Sequence, residues 1–176
     1  AIHGVASLST SILINWEGTR LLLDAGPGTI TEIWRRGLKL RRLTAILISH
    51  AHLDHTWGLT PLIWFLKNRG WSHTITVVYP PQAASTIKGL IAASGAAELA
   101  TPIPLSPEEP PLTLGRLTVK ALPAHHPIPT NGYLITETPR RLLDTNRLAS
   151  EGVPRSLWPA LAQGKTLHHQ GRFLQP

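Results

Sequence analysis

Leu43-Thr44-Ala45-Ile46-Leu47-Ile48-Ser49-His50-Ala51-His52-Leu53-Asp54-His55 joins an almost wholly apolar run to four metal-capable side chains within six residues. The apolar part has the length and composition of a strand buried on both faces. A strand sends residues i and i+2 to the same side, so His50 and His52 leave its end pointing the same way. Asp54 and His55 follow at the turn into the next segment and can reach a second position. Imidazole and carboxylate are good zinc ligands, and a catalytic site keeps a coordination position open. Packing alone does not account for this density of ligands, and the stretch predicts a metal site.

The flanking sequence alternates strand and helix patterns. Upstream, residues 11–14 and 20–23 predict two strands joined at Glu17-Gly18, followed by a sharp break at Asp24-Ala25-Gly26-Pro27-Gly28-Thr29. Residues 30–38 predict a helix with Ile33, Trp34 and Leu38 on one side. Downstream, residues 56–68 predict one helix, with Pro61 tolerable near its start. Residues 74–79 predict a strand, 82–93 a helix, and 117–121 and 133–136 two more strands. This order indicates an α/β domain. From Pro139 onward the sequence is polar and broken by proline and glycine, with little periodicity before Leu157-Trp158. It predicts an appendage over residues 139–176 beside a main domain over residues 1–138.

The 176 residues are 42% hydrophobic, enough for one domain with its own core, and carry Lys+Arg 17 against Asp+Glu 10. A net charge of +7 suits a polyanionic partner. No apolar run reaches the roughly 18 residues of a membrane span. Cysteine is absent, which excludes disulfides and thiolate ligands and fits a reducing, cytoplasmic setting. The chain does not open with methionine, which implies a processed or trimmed start.

A metal normally takes a third protein ligand, and His125-His126 offers one. Adjacent side chains on extended backbone point opposite ways, so one of the two is expected to ligate. His3, His73, His168 and His169 have no such context and are read as surface residues. The basic run 35–42 is read as a solvated helix end and loop. Trp57 and Trp64, seven apart on the predicted helix, are read as core.

The HxHxDH motif after an apolar strand resembles the signature of the metallo-β-lactamase superfamily, and Asp24 to Thr29 resembles its preceding DxGxGT turn. His126-Pro127-Ile128-Pro129-Thr130-Asn131-Gly132-Tyr133 resembles the H-x5-G-Y segment of the ribonuclease Z family of tRNA 3′-processing endonucleases. Leu143-Asp144 through Val153-Pro154, with Leu157-Trp158 and residues 164–176, resembles that family's protruding tRNA-binding arm. The resemblance implies an αββα sandwich and a two-zinc phosphodiesterase, usually a homodimer, that removes the 3′ trailer of precursor tRNA. It further implies that His50, His52 and His126 hold one zinc, and that Asp54 and His55 contribute to the other. Asp54 would also orient or deprotonate the attacking water. Arg155, Trp158, Lys165 and Arg172 would contact the tRNA.

The chain departs from that pattern in three places. Ala1-Ile2-His3-Gly4 opens it without the family's glycine-rich turn, and Arg155-Ser156 replaces the arm's Gly-Pro pair. A bridging aspartate from a GDT-like motif and two later histidines are not evident. Leu143-Asp144-Thr145 could imitate that motif, but the residues after it match the arm. On that reading the chain stops where the second half of the fold should start. Two alternatives share parts of the pattern. One is another hydrolase of the superfamily, acting on a thioester, lactam or small phosphodiester. The other is a tRNA-binding half without catalysis.

Overall fold

The computed structural model describes residues 10–137, 143–169 and 171–174. The chain separates into two compact units, Ala1–Glu137 and Thr138–Pro176. The boundary expected after residue 138 and the readings of His3 and of the opening residues fall outside the described residues.

In the first unit, β1 (Ile12–Trp16) and β2 (Thr19–Leu23) form an antiparallel hairpin. Its two-residue turn, Glu17-Gly18, has φ of 41° and 87°. Positive φ at both positions gives the turn whose twist matches the flanking strands. Strands β3 (Leu43–Leu47), β4 (Ile75–Tyr79) and β5 (Ala100–Pro104) then add in parallel, in the order β1-β2-β3-β4-β5. The crossovers carry α1 (Thr29–Arg35), α2 (Leu53–Thr56) with α3 (Leu59–Asn68), and α4 (Ala84–Ala93). A second sheet, order β6-β7-β8, is antiparallel and built from Leu112–Leu114, Leu117–Pro123 and Asn131–Glu137.

Alternation along the central strands sorts the apolar side chains into two cores. Leu22, Ile46, Ile48, Ile75, Val77 and Tyr79 pack with the helical residues Ile33, Leu59, Leu62, Ile63, Leu66, Ile87 and Ile91. The alternate positions Leu21, Ala45, Leu47 and Val78 pack with Leu114, Leu117, Val119 and Ala121 of the second sheet. A period of two on a strand covered on both faces therefore dictates helix, sheet and sheet as successive layers. Of the expected αββα sandwich, a second helix layer is not among the described residues of this unit.

Several local expectations need correction. The helix expected over 56–68 is two helices, broken at Trp57-Gly58. Gly58 is pressed against the preceding turn, where a Cβ would lie 2.2 Å from the Gly26 carbonyl oxygen. Trp57 and Trp64 are exposed rather than core. The buried stripe of α3 is Leu59, Leu62, Ile63 and Leu66, and Trp64 lies off it. Helix α1 ends at Arg35, so Ile33 is buried while Trp34 and Leu38 face solvent. The basic run matches its solvated reading: Arg35 and Arg36 both pair with Glu32. These two cations hold the Glu32 carboxyl down to about 2.

The second unit contains α5 (Thr145–Ser150), α6 (Trp158–Ala162) and a hairpin of β9 (Leu167–His169) with β10 (Arg172–Leu174). It is more regular than its sequence texture predicts. Asp144 caps α5, its carboxylate accepting the Arg147 N–H at 2.9 Å. Among its described residues Val153 and Leu161 are the buried apolar ones.

Candidate metal centre

Every metal-capable residue of the 50–55 stretch leaves the end of β3, at the edge where the parallel strands terminate. Ligands in such α/β sheets commonly gather there. The exit is held from both sides. Asp24 N–H donates to the Leu47 carbonyl at 2.9 Å, and Ala25 N–H to the His55 carbonyl at 2.8 Å. Gly58 N–H donates to the Ala25 carbonyl at 2.7 Å. The DxGPG turn and the histidine loop are thus stitched together by backbone, and the absence of a side chain at Gly58 permits that approach.

Asp24 adopts a left-handed conformation, φ 56°, which a short polar side chain tolerates. Its buried carboxylate accepts three bonds: from Ser49 N–H at 2.7 Å, from the Ser49 hydroxyl at 2.9 Å, and from His55 Nδ1 at 2.7 Å. A carboxylate can only accept, so His55 carries a proton on Nδ1, and Nε2 is the nitrogen turned away from Asp24. That nitrogen faces the Asp54 carboxylate at 3.6 Å.

The same argument orients His50. The Ser49 hydroxyl gives its proton to Asp24, so at its 2.9 Å contact with His50 Nδ1 it accepts. His50 Nε2 is then the free lone pair, 3.0 Å from His52 Nδ1. His126 Nε2 approaches the same His52 nitrogen at 3.3 Å. Burial is the first cause of a His50 pKa lowered to about 4, with the neighbouring imidazoles adding to it, so this ring is neutral near pH 7.

His50, His52 and His126 offer one ligand nitrogen each, all within 4.8 Å of one another, and form the candidate metal group among the described residues. Two imidazole nitrogens bound tetrahedrally to one zinc at about 2.0–2.1 Å stand roughly 3.3 Å apart. The separations of 3.0 and 3.3 Å fit that donor set. His50 is buried while His52 and His126 are exposed, so the trio opens to solvent on one side. Asp54 and His55 lie beside the trio rather than in it; the rings of His50 and His55 are 4.1 Å apart.

The remaining expectations divide. His125 is exposed and outside the trio, His73 and His168 are exposed, and His169 is half-buried rather than a surface residue. In the second unit Arg155, Lys165 and Arg172 are exposed. Trp158 is half-buried, its indole N–H donating to the Val153 carbonyl at 3.0 Å. Arg155 lies 5.6 Å above its ring. Asp144 is occupied as a helix cap. Sequence reasoning missed Asp24 and Ser49 as members of the site. Their signal is an aspartate at a strand end before Gly-Pro-Gly, and a hydroxyl immediately before the first histidine.

A profile of the Metallo-beta-lactamase superfamily matches residues 5–143. A curated relative from Pseudomonas putida named "Ribonuclease Z" is 31% identical over 172 residues, covering 96% of this chain and 54% of the relative. Among solved structures, a metallo-beta-lactamase fold protein from Bacillus subtilis superposes with TM-score 0.63 at 25% identity, over 76% of this chain and 52% of that one. Human tRNase Z, short form, superposes with TM-score 0.59 at 25% identity, over 73% and 57%. The chain spans about half the length of the curated relatives it matches. The matched profile, the two layered sheets and the histidine loop at the end of β3 place the chain in the metallo-β-lactamase superfamily.

Proposed function

We propose that this chain carries the first metal-binding part of a zinc-dependent endoribonuclease that removes the 3′ trailer from precursor tRNA. The observation that carries the reading is the convergence of His50, His52 and His126 on one point from two segments more than seventy residues apart. Its specificity for tRNA draws on the similarity to proteins named Ribonuclease Z and tRNase Z.

Bound zinc supplies Lewis acidity and a lowered pKa for water. The chain's own residues do the rest. The three histidines of the trio hold the first ion, and Asp54 and His55 contribute to a second. Asp54, half-exposed beside His55 Nε2, accepts a proton from the attacking water and orients it toward the phosphodiester. Asp24 and Ser49 engage Nδ1 of His55 and His50, which would leave the Nε2 nitrogens available to a metal.

The second unit is the tRNA-gripping arm. Arg155, Lys165 and Arg172 present charge to phosphates, and Trp158 shapes the surface beside Arg155. The active form is a homodimer acting in the cytoplasm, and the +7 charge suits its substrate. No helix among the described residues is long and apolar enough to cross a membrane.

Incubation of the full-length protein with Zn2+ and a 3′-extended precursor tRNA tests the reading. A cut near the discriminator base, lost in Asp54→Ala while tRNA binding persists, is the expected outcome. Thioester turnover without a tRNA cut would instead select another hydrolase of the superfamily.

A further inference from the structure

The carbonyls of Ile48 and Ser49 lie just past the last paired residue of β3, Leu47. Both are nevertheless satisfied, and by the other sheet. The Tyr133 hydroxyl donates to the Ile48 carbonyl at 2.7 Å, and Asn131 N–H donates to the Ser49 carbonyl at 2.9 Å. The Asn131 side-chain amide, itself buried, donates to the Leu105 carbonyl at 2.7 Å and anchors the same segment a third time. Burial raises the Tyr133 pKa further above its ordinary value, so the phenol remains a donor throughout the physiological range.

These bonds tie together the two segments that carry the trio. His50 follows Ser49 directly, and His126 sits five residues before Asn131 in the loop that leads into β8. We propose that Tyr133, with Asn131 beside it, is a positioning residue for the metal site: its hydroxyl latches β8 to the end of β3 and so sets His126 against His50 and His52. This rests on the reading of the trio as metal ligands. The physical argument is tolerance. A three-nitrogen site accepts errors of only about half an ångström, and its ligands here come from different sheets. Packing between sheets sets their spacing, and a hydrogen bond to a defined carbonyl adds a directional constraint on register.

The test is Co2+ binding followed by visible absorption and calorimetry, on wild type, Tyr133→Phe and Ile91→Val. Phenylalanine keeps the ring and removes only the donor. Ile91, on α4, lies in the helix-side core and controls for general loosening. The expected result is Co2+ affinity weakened about 10-fold or more in Tyr133→Phe, with Ile91→Val binding as wild type does. Unchanged affinity in Tyr133→Phe, or equal loss in both variants, overturns the positioning role while leaving the metal reading intact. Absence of Co2+ binding in wild type overturns the metal reading, and the role falls with it. Should Tyr133→Phe not fold, Asn131→Ala carries the same comparison. Loss of its bond to Leu105 predicts a few-fold weaker binding, and no loss counts against the latch.

Discussion

The exit of β3 and the second unit solve opposite problems with the same kinds of residue. At the β3 exit, Asp24 and Ser49 are spent on fixing imidazoles, and backbone bonds from Asp24, Ala25, Gly58 and Asn131 hold the loop. Among the described residues of the second unit the buried apolar side chains are Val153 and Leu161, and Arg147, Arg155, Lys165 and Arg172 are exposed. A metal site needs nitrogens held to fractions of an ångström, which the hydrogen-bonded exit of β3 favours. The phosphate-gripping surface proposed for the second unit would work through long exposed side chains and tolerate a thin core.

That contrast predicts unequal responses to mutation. The largest is expected at Gly58, where a methyl group would meet the Gly26 carbonyl oxygen at 2.2 Å and the Ala25 oxygen at 2.9 Å. Backbone atoms there cannot move without breaking the turn, so Gly58→Ala should cost about 3 kcal/mol or more. Urea denaturation measures this, and a loss below about 1 kcal/mol would mean the turn and the histidine loop are not rigidly joined. A smaller effect is expected at Trp158, half-buried and bonded to the Val153 carbonyl. Trp158→Ala should cost about 2 kcal/mol, below the range for fully buried aromatics. Hydrogen exchange should show the loss confined to residues 143–174. Loss of protection in β3 as well would abolish the contrast.

Much of the site is legible in the sequence because it is local. His50, His52, Asp54 and His55 are close neighbours, and strand periodicity alone orients the first two. Asp24 contacts His55 across 31 residues, and that pairing depends on β2 lying beside β3, which no local pattern reveals. Strand β5 was hidden by Pro102 and Pro104, which disqualify a central strand but are tolerated at the sheet edge where β5 lies. The seven-residue spacing of Trp57 and Trp64 misleads because the two do not share a helix: Trp57 lies in the break between α2 and α3, and Trp64 lies off the buried stripe of α3. Leu59, Leu62, Ile63 and Leu66 form that stripe. In the second unit, short elements of three to six residues carry too few periodic positions to stand out from a proline-broken background.

The central claim is that one metal site is assembled from the β3 exit and the loop before β8. Calorimetric titration of Zn2+, in competition with a chelator, into wild type and His126→Ala tests it most directly. Removing one of three protein ligands should weaken binding by more than about 100-fold, beyond the 10–100-fold typical of outer partners, with the melting temperature of the metal-free protein little changed because His126 is exposed. Equal Zn2+ affinity in the two proteins would contradict the account, since the residues at 50–55 would then bind the metal without the segment that the fold brings to them.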